Sequence, residues 1–592
     1  MGILPMSLRA ILALSLRWFA WARPARAGCL ATLDGLPQEK TVDLIITDFG
    51  AAPDSQNDTT PAVLAALARC RGKDRCRIVF PTGRYLFHRD RCGERLLYTS
   101  NNDGGIKRIG VPLMGLSDIE LDGQGSRFIF HGRMIPVAVW DSGNVTLRNF
   151  SIDWDRPFTL EAEILDQQPG HVDLKMSPAT PYVIRGGRLS GLDDDCYPQT
   201  HITFIEFDPR KQEFAYDSPY PWGRNEAVEI EPGLVRLSGL SEPLRAGRTV
   251  CMRMELRHSP AVSIGHSAEV QIVNVALHAA AGMGVIAQES RDIRLDNLRV
   301  TPAPDSGRIL STQDDATHFC NCRGQIVMEN CLLERCWDDG GNVHGTYRVI
   351  NMRGPNWTVT QTGHFQQLGV GMGQRDDDLF EFIDPATMKT LHQDRGFDFK
   401  VYNAHQTAIT YRHPLPDSIT LGMAVENVSA TPDLTIRRCT FRTTRPRGVL
   451  INTRGKVVVE DNFFHVPGAA VLIGADVNSW YESGAVKDVL IRRNTFDNCR
   501  YMRPTCTPAP ISITPVVPDA GRGSPFERNI RIEENTFRAF DPLLVTARSV
   551  DGLTFRNNVI ERNTDYPRFS NQPGSLDADD CVNVTVEGNR TK

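Results

Sequence analysis

The sequence predicts an all-β protein in the form of a β-solenoid, in which short strands wind into coils that stack on one another. Three features indicate this fold: a recurring strand motif with one asparagine, a spacing of 23 residues between several copies, and 48 Gly with 37 Pro among 592 residues. A fixed period of this size, with Asn or Gly at the corners, is typical of stacked coils. Neighbouring coils would lie about 4.8 Å apart.

The repeated motif can be followed through the second half of the chain. Three of its intervals are 23 residues, from 274 to 297, from 439 to 462 and from 535 to 558. Longer intervals are expected where a loop interrupts the coil. The copies are centred on Asn274, Asn297, Asn330, Cys439, Asn462, Asn494, Asn535, Asn558 and Asn589.

One helix is predicted near the start of the coils. The segment Asp58-Thr59-Thr60-Pro61 supplies a polar N-cap and a proline in the first turn. Apolar residues follow at helical spacing, at Val63, Leu64 and Leu67. We expect this helix to cap the open end of the stack, since exposed strand edges invite aggregation.

Two intervals are far longer than one coil and predict inserted domains. The motif is absent for 125 residues after Asn149 and for 109 residues after Asn330, and both gaps contain strand-like pieces between Pro and Gly turns. The expected order is a signal peptide (1–27), N-terminal coils with the capping helix (28–155), a barrel-like β insertion (156–254), central coils (255–354), a second β insertion (355–427) and C-terminal coils (428–592).

The N-terminus has the features of an export signal. Arg9 precedes an apolar run, and Ala25-Arg26-Ala27 offers a small-residue cleavage site. We therefore expect a secreted or periplasmic protein. A lipid anchor at Cys29 is the alternative, which would place the protein at the cell surface, although Arg26 stands where an aliphatic residue is usual. No later run approaches the ~20 apolar residues of a membrane span, and a net charge of −5 without a basic run does not favour nucleic acid.

Fourteen cysteines in an exported chain permit disulfides. Cys70 and Cys76 are the best candidate pair, because they would close a short loop. The group Cys320, Cys322, Cys331 and Cys336 fits either a metal site or a stack of buried thiols. The thiol stack is favoured because paired CxxC spacing is missing. The sequence thus predicts no metal and no cofactor.

The candidate catalytic residues are concentrated between Asp314 and Tyr347. Asp338 lies 23 residues after Asp315, so the two would stack on neighbouring coils, and Asp339 adds a third carboxylate. Alone, the string DDGG would be a turn. The one-repeat offset instead favours paired carboxylates, which glycoside hydrolysis requires. Crowding should raise at least one carboxyl pKa, so that this group can act as an acid at neutral pH.

Four further residues are candidates for substrate binding. His318 and His344 could contact sugar hydroxyls or be satisfied histidines of the coil, and Asn342 could bind sugar or occupy a coil corner. Arg308 lies in the extra loop before Asp315, where a pocket wall is expected, although a solvated arginine is the alternative.

The central motif resembles the α-1,3-galactosidases of glycoside hydrolase family 110. The resemblance is carried by Asp315-Ala316-Thr317-His318-Phe319, Asn321-Cys322-Arg323-Gly324, and Asp338-Asp339 followed by Asn342-Val343-His344-Gly345-Thr346-Tyr347, with upstream support from His131-Gly132-Arg133-Met134 and Asn149-Phe150-Ser151-Ile152-Asp153-Trp154. Asp314 departs from the pattern, because a small residue is expected there. The opening coil also resembles the pectate-lyase-like superfamily.

Membership implies a right-handed parallel β-helix and a metal-independent, inverting exo-hydrolase. The implied substrate carries terminal α-1,3-linked galactose, as on blood-group B and related glycans, and a homodimer is plausible for the family. The acidic pattern is also similar to that of polygalacturonases. By that similarity Asp338 is the general acid, and Asp315 and Asp339 hold and deprotonate water. Inversion requires carboxyl groups about 6.5–9.5 Å apart, so the side chains must splay. The competing hypotheses are a polysaccharide lyase and a non-catalytic glycan-binding solenoid.

Overall fold

The chain forms a parallel β-coil in the computed structural model, which describes residues 41–72, 75–192, 203–221, 225–253, 257–369, 371, 375–503, 507–519, 525–570 and 574–592. The predicted signal peptide and Cys29 lie outside these residues. The described part is almost entirely β, with one α-helix, Thr60–Cys70, and short 3-10 turns at Ile46–Phe49 and Arg89–Arg91. Within it, no helix is long and apolar enough to cross a membrane.

The first parallel sheet runs along the whole described chain, each strand pairing with the strands of the coils before and after it. Its strands are Val42–Ile45, Cys76–Val79, Arg84–His88, Ser117–His131, Gly143–Trp154, Ala268–Leu277, Arg291–Asp296, Arg299–Val300, Arg323–Glu329, Leu332–Glu334, Asp433–Arg437, Thr440–Arg442, Lys456–Glu460, Phe463–His465, Asp488–Arg492, Thr495–Asp497, Glu527–Glu533, Thr536–Ala539, Val550–Arg556, Val559–Arg562, Val582–Glu587 and Arg590–Thr591.

A second set of strands completes the coils and carries the predicted acidic stretch. Its parallel members are Gly105–Met114, Ile135–Trp140, Val262–Gly265, Val285–Gln288, Thr317–Cys320, the start of Gly341–Arg353, Val449–Ile451, Val471–Ile473, Ile511–Ile513, Val545–Arg548 and Leu576–Asp579. Gly93–Leu97 and Glu482–Ser483 add antiparallel pairings at its margins.

Antiparallel sheets occupy the two long gaps between motif copies. The first gap holds a seven-stranded sheet made of Thr159–Gln168, His171–Met176, Thr203–Asp208, Glu213–Phe214, Glu226–Glu231, Leu234–Ser238 and Thr249–Arg253, with a hairpin of Tyr182–Arg185 and Arg188–Gly191. In the second gap the end of Gly341–Arg353 pairs within a sheet of Trp357–Thr362, Leu379–Ile383, Thr390–Val401, Gln406–Tyr411 and Ala424–Asn427.

The coil interior is apolar and stacked in register. The rings of Phe441, Phe464, Phe496 and Phe537 lie one above the next, with centroids 4.8, 5.2 and 4.8 Å apart. These distances match the spacing of neighbouring strands. The buried face of the helix, which includes Val63, belongs to the same apolar cluster.

Asparagines form two ladders along the coil. In the C-terminal coils the amide nitrogens of Asn462, Asn494, Asn535 and Asn558 each donate to the next ladder oxygen at 2.9–3.1 Å, ending at Asn589. In the central coils Asn297 and Asn274 pass hydrogen bonds back to Asn149 at 2.9 and 3.3 Å, near the surface. The predicted 23-residue pairs therefore lie in contact.

The asparagines of the two ladders do not occupy equivalent positions in the coil, contrary to the predicted alignment, which treated them as copies of one motif. Asn274, Asn297 and Asn330 adopt a left-handed φ of 53–57°, whereas in the later coils that conformation belongs to the residue before each ladder position. Asn330 consequently lies beside Arg438, and its oxygen accepts from that guanidinium at 2.9 Å. The partner of Cys439 is Cys331, whose thiol interacts with it.

Most described cysteines are buried free thiols. The predicted disulfide between Cys70 and Cys76 is not formed: both are free, and burial together with a hydrogen bond to Cys76 raises the pKa of Cys70 to about 12. Cys322, Cys331 and Cys336 lie in the apolar core, as the thiol-stack interpretation predicts, whereas Cys320 is buried outside that core cluster.

Candidate active site

The acidic stretch lies at the start of two neighbouring parallel strands. Thr317–Cys320 pairs with the beginning of Gly341–Arg353 at an offset of 24 residues. The offset is one residue more than the sequence spacing indicated, because the register is set by these strands and not by the asparagine motif. Asp315 therefore stacks beside Asp339 and not beside Asp338.

Asp315, Asp338 and Asp339 still form a single cluster. One carboxylate oxygen of each lies within 4.8 Å of those of the other two. All three are buried, and Asp338 is the most exposed at 9%. The backbone amide of Asp339 donates to the Asp315 carboxylate at 3.3 Å. The nearest oxygens of the three carboxylates therefore meet at one point of the site.

Two arginines supply positive charge to the cluster. Arg257 donates to Asp338 at 2.9 Å and to Asp314 at 3.1 Å. Arg447 donates to Asp339 at 2.6 Å. Asp314 shares Arg257 with Asp338 and also accepts from Arg253. Among the four acids only Asp315 has a histidine as a hydrogen-bond partner.

The arginines divide the three acids into two kinds. Burial favours the neutral form of every carboxyl here, but Arg257 and Arg447 outweigh it for Asp338 and hold the pKa of that carboxyl below its ordinary value. Burial and the charge of Asp338 raise the pKa of Asp315 well above the ordinary value. Burial also raises the pKa of Asp339 well above its ordinary value, although the positive charge of Arg447 opposes this shift. Of the three carboxyl groups, Asp338 is therefore the one that ionises most readily.

Both predicted histidines lie behind the acids instead of on a pocket wall. The Nδ1 atom of His318 is 2.7 Å from Asp315, and its Nε2 atom is 2.8 Å from Nε2 of His344. Both rings are buried. Burial lowers the pKa of His318 well below its ordinary value, and the neighbouring His344 adds to this effect. The two rings therefore contact protein groups, and they position Asp315 through the Nδ1 atom of His318.

Asn342 is in the site and keeps one polar atom free. Its amide nitrogen donates to Glu482 at 3.3 Å, while its Oδ1 atom is buried without a hydrogen-bond partner. Glu482 comes from a later coil, and its Oε1 atom lies 3.7 Å from Nε2 of His344. Asn342 thus offers an oriented acceptor beside the acids.

The structure does not bring Arg308 to this cluster. Its guanidinium holds the carboxylate of Asp153 at 2.7 and 2.8 Å, and both residues line a different cavity of about 550 Å³. The extra loop before Asp315 therefore turns towards the start of the first antiparallel region.

A cavity of about 670 Å³ opens over the three acids. Its floor includes the acids, Asn342 and Arg257, while Tyr220 and Glu242 reach it from the first antiparallel region. Arg503 ties this wall to the coil by ion pairs with Asp217 at 3.0 Å and Glu242 at 2.6 Å. Trp480, 40% exposed, adds an aromatic face to the cavity. The volume suits a small ligand.

The three oxygens could also hold a divalent cation, which prefers carboxylate ligands. Arg257 and Arg447 already provide the compensating charge at Asp338 and Asp339. The donor set therefore fits acid–base chemistry without requiring an ion.

Several site residues were missed by sequence reasoning. Arg257 follows the first inserted region, and Trp480 and Glu482 lie in a later loop and strand, with no local motif that marks them. Arg447 carries a recoverable signal: it lies 108 residues after Asp339. This is the same offset that joins Gln325 to Asp433 across the second gap.

Buried carboxylates of differing pKa beneath a cavity are the arrangement that glycoside hydrolysis requires. Comparison with known proteins narrows this class. The chain is 35% identical over 581 residues to an α-1,3-galactosidase A of Shewanella woodyi, covering 95% of this chain and 92% of the relative. It is 34% identical over 557 residues to an α-1,3-galactosidase B of Bacteroides thetaiotaomicron, covering 92% and 90%.

Residues 160–247 match the family model of the GLAA-B beta-barrel domain I. The chain therefore belongs to the α-1,3-galactosidase family of glycoside hydrolases. Among solved structures, it is similar to a family 28 exopolygalacturonase of Yersinia enterocolitica, with 12% identity, coverage of 93% and 78%, and a TM-score of 0.36. It is also similar to an exopolygalacturonase of Thermotoga maritima, with 10% identity, coverage of 93% and 93%, and a TM-score of 0.37.

Proposed function

We propose that this enzyme hydrolyses terminal α-1,3-linked galactose from blood-group B-type and related glycans. The observation that carries the proposal is the cluster of Asp315, Asp338 and Asp339 beneath a cavity of about 670 Å³. Three carboxyl groups within 4.8 Å of one another can supply a proton to the leaving oxygen and take one from water. The family relationship supports the identity of the sugar.

The roles are proposed from exposure and from the resemblance. Asp338, the most exposed acid, protonates the leaving oxygen, as the resemblance implies, while Asp315 and Asp339 hold and deprotonate water. The low pKa of Asp338 opposes this assignment, because it favours the ionised carboxylate over the acid. One proton shift from Asp339 to Asp338 produces the reactive form. During the reaction Asp338 gives its proton to the leaving oxygen, and water returns one to the Asp315–Asp339 pair.

Inversion of the anomeric centre is proposed from the resemblance, and retention is the alternative outcome. The two outcomes differ in the first product. Inversion releases β-galactose from an α-linked substrate, whereas retention passes through a glycosyl-enzyme ester and releases α-galactose. Proton NMR during the first minutes of turnover distinguishes them before mutarotation mixes the anomers.

The test of the proposal is galactose release from two substrates, a branched fucosylated B-type glycan and linear α-1,3-galactobiose. Release from either one, abolished in Asp338→Asn, supports the hydrolase. The matched control is Asp90→Asn, whose side chain is 91% exposed and lies outside the cavity. Binding of both sugars without release would show a glycan-binding protein, and absorbance from an unsaturated product would show a lyase.

For substrate contacts we propose Asn342 and Trp480. The free Oδ1 of Asn342 can accept from a galactose hydroxyl, and the exposed indole face of Trp480 can stack on a sugar ring. His318 and His344 act through Asp315. We propose no substrate role for Arg308, because its guanidinium is held by Asp153 in another cavity.

We further propose the domain organisation predicted from sequence: a right-handed β-helix with the helix at 60–70 as its cap, and β insertions at 156–254 and 355–427. Export to the periplasm or medium is proposed from residues 1–27, with lipid attachment at Cys29 as the alternative, and N-terminal mass analysis of the mature protein tests both. A homodimer is proposed from the resemblance, and light scattering of the purified chain tests it.

A further inference from the structure

A buried chain of hydrogen bonds starts at Asp315 and leads away from the cavity. The carboxylate Oδ2 lies 2.7 Å from Nδ1 of His318. Nε2 of His318 lies 2.8 Å from Nε2 of His344, and Nδ1 of His344 lies 2.6 Å from the carbonyl oxygen of Gly345. The two histidines are 0% and 1% exposed, so water does not reach either ring.

The last link fixes the direction of the chain. A carbonyl oxygen only accepts, so Nδ1 of His344 must carry a hydrogen. Each of the other two links needs one hydrogen between its two heavy atoms. When His344 is neutral, its Nε2 accepts and Nε2 of His318 donates. A neutral His318 then presents a bare Nδ1 to Asp315, and the carboxyl group must donate.

With one hydrogen in each link, the hydrogen-bond chain of Asp315, His318 and His344 therefore contains one mobile proton and has zero net charge. In its first state Asp315 is a neutral carboxylic acid. In the second, that proton has moved to Nδ1 of His318, leaving a carboxylate beside an imidazolium. In the third, the positive charge has moved on to His344, whose Nε2 is 3.7 Å from Glu482. None of these states requires a proton to enter from solvent.

We propose that Asp315, His318 and His344 form a proton relay in which His318 removes the carboxyl proton of Asp315, so that Asp315 can act as a base. This inference rests on the proposed hydrolase function. In the transfer, the O–H bond at Asp315 Oδ2 breaks and an N–H bond forms at His318 Nδ1. Asp315 is then a carboxylate that can take a proton from water. That proton passes on to Asp339, whose own proton has gone to Asp338 and whose carboxylate oxygen lies within 4.8 Å of an oxygen of Asp315. His318 then returns the relayed proton to Asp315, so the cycle closes without a net gain of protons, and His318 and His344 are positioning residues.

The surroundings explain why the relay rests in its neutral state. Burial raises the pKa of Asp315 and lowers that of His318, so an uncharged pair is favoured without substrate. The charged groups that act on this pair are Asp314, Asp338, Asp339, Arg257, Arg447 and Glu482. Asp315 could otherwise ionise only by losing a proton outright beside the charged Asp338.

The test is the pH profile of galactose release for His318→Gln and His344→Gln. A glutamine at 318 can hydrogen-bond Asp315 but cannot accept a positive charge. We expect kcat at neutral pH to fall about 100-fold and the acidic limb of the profile to move to higher pH by about one unit, since Asp315 must then lose its proton to solvent. KM should change by less than about twofold, because neither ring lines the cavity.

His344→Gln should give a smaller loss of about tenfold, since it disturbs only the tautomer of His318. The matched control is His278→Gln, a part-buried coil histidine whose Nδ1 also bonds a backbone carbonyl, that of Thr301, at 2.9 Å. It should leave the profile unchanged. An unshifted pH profile in folded His318→Gln would overturn the relay.

A second measurement does not depend on the variants folding or on the substrate. Nitrogen-15 NMR of the histidine rings in the wild-type chain should show a hydrogen on Nδ1 of His344 throughout the titration. A neutral His344 with its hydrogen only on Nε2 would contradict the relay. If the wild type releases no galactose, the proposed function fails, and the ring tautomer still decides whether the hydrogen-bond chain exists.

Discussion

The buried asparagine ladder and the acid cluster are two solutions to the same problem, that of placing polar side chains inside a coil. In the ladder, Asn494 uses its whole amide: the nitrogen donates to Val459 and Asn535, and the oxygen accepts from the backbone and side chain of Asn462. In the acid cluster, by contrast, Asp339 keeps one buried oxygen without a partner.

The difference indicates what each region is for. A fully paired polar group contributes stability and has nothing left to offer a ligand. An unpaired buried acceptor costs stability and is kept where a ligand or a proton will satisfy it. Four experiments test this difference between the asparagine ladder and the acid cluster.

The largest effect is expected from the acids. Asp315→Asn, Asp338→Asn and Asp339→Asn should each lower kcat/KM by at least about 1,000-fold, because each removes a proton donor or acceptor from the reaction. Asp315→Asn should leave the melting temperature close to that of the wild type, because a neutral amide replaces a carboxyl group whose raised pKa favours its neutral form. Asp338→Asn and Asp339→Asn each weaken a bond to a buried arginine and should lower the melting temperature. An inactive Asp315→Asn with a large loss of stability would show that this acid is structural.

The ladder should show the opposite pattern. Asn494→Ala leaves several buried groups without partners and should cost about 2–4 kcal/mol of unfolding free energy, with kcat unchanged at 25 °C. The control is Asn274→Gly in the surface ladder, where glycine keeps the left-handed backbone at φ 54°. It should cost less than about 1 kcal/mol. Denaturant titration checks both, and equal costs would contradict the contrast.

A buried acid outside the site tests whether a shifted pKa is enough to mark function. Burial raises the pKa of Glu527 to about 8, while the Val486 amide donates to it at 2.6 Å. Because the folded pKa exceeds the unfolded one, its contribution to stability is greatest below about pH 4.5 and is lost as the pH rises through 8.

Glu527→Gln should remove this dependence. The melting temperature of the variant relative to wild type should rise between pH 5 and pH 8, with galactose release unaffected. A loss of activity would place Glu527 in the catalytic apparatus after all.

The smallest effect is expected at Trp480. Removing an aromatic face from a cavity wall costs about 0.5–1.5 kcal/mol beyond lost area, so Trp480→Ala should raise KM about threefold to tenfold with little change in kcat. Phe365→Ala is the comparison, because Phe365 is 64% exposed and does not line the cavity. A changed kcat with constant KM would assign Trp480 to the chemistry instead of to binding.

The fold was largely predictable because the coil repeats. The motif around Asn462 and Asn494 marks positions that stack directly, and their spacing survives loops of variable length. The alignment of the motif copies could not be predicted to the exact residue. Asn330 occupies the left-handed corner of its coil, whereas Asn462 occupies the position after that corner. Both positions favour asparagine, for different physical reasons.

The acids were predictable and their environment was not. Asp315 and Asp339 share one stretch of sequence, and the neighbouring strands bring them together. Arg257 and Arg447 come from before the stretch and from beyond the second gap, so their contacts depend on coil lengths that no local pattern encodes. The lowered pKa of Asp338 follows from those arginines.

The two ion pairs of Arg503 have a consequence for how this enzyme can change. They attach a wall that carries Tyr220 and Glu242 to a floor whose acids are wound into the coil itself. A lineage could exchange or reshape the wall and meet new glycans without disturbing the floor. Part of the recognition surface can thus vary separately from the acids, while Asn342 stays beside them on the coil.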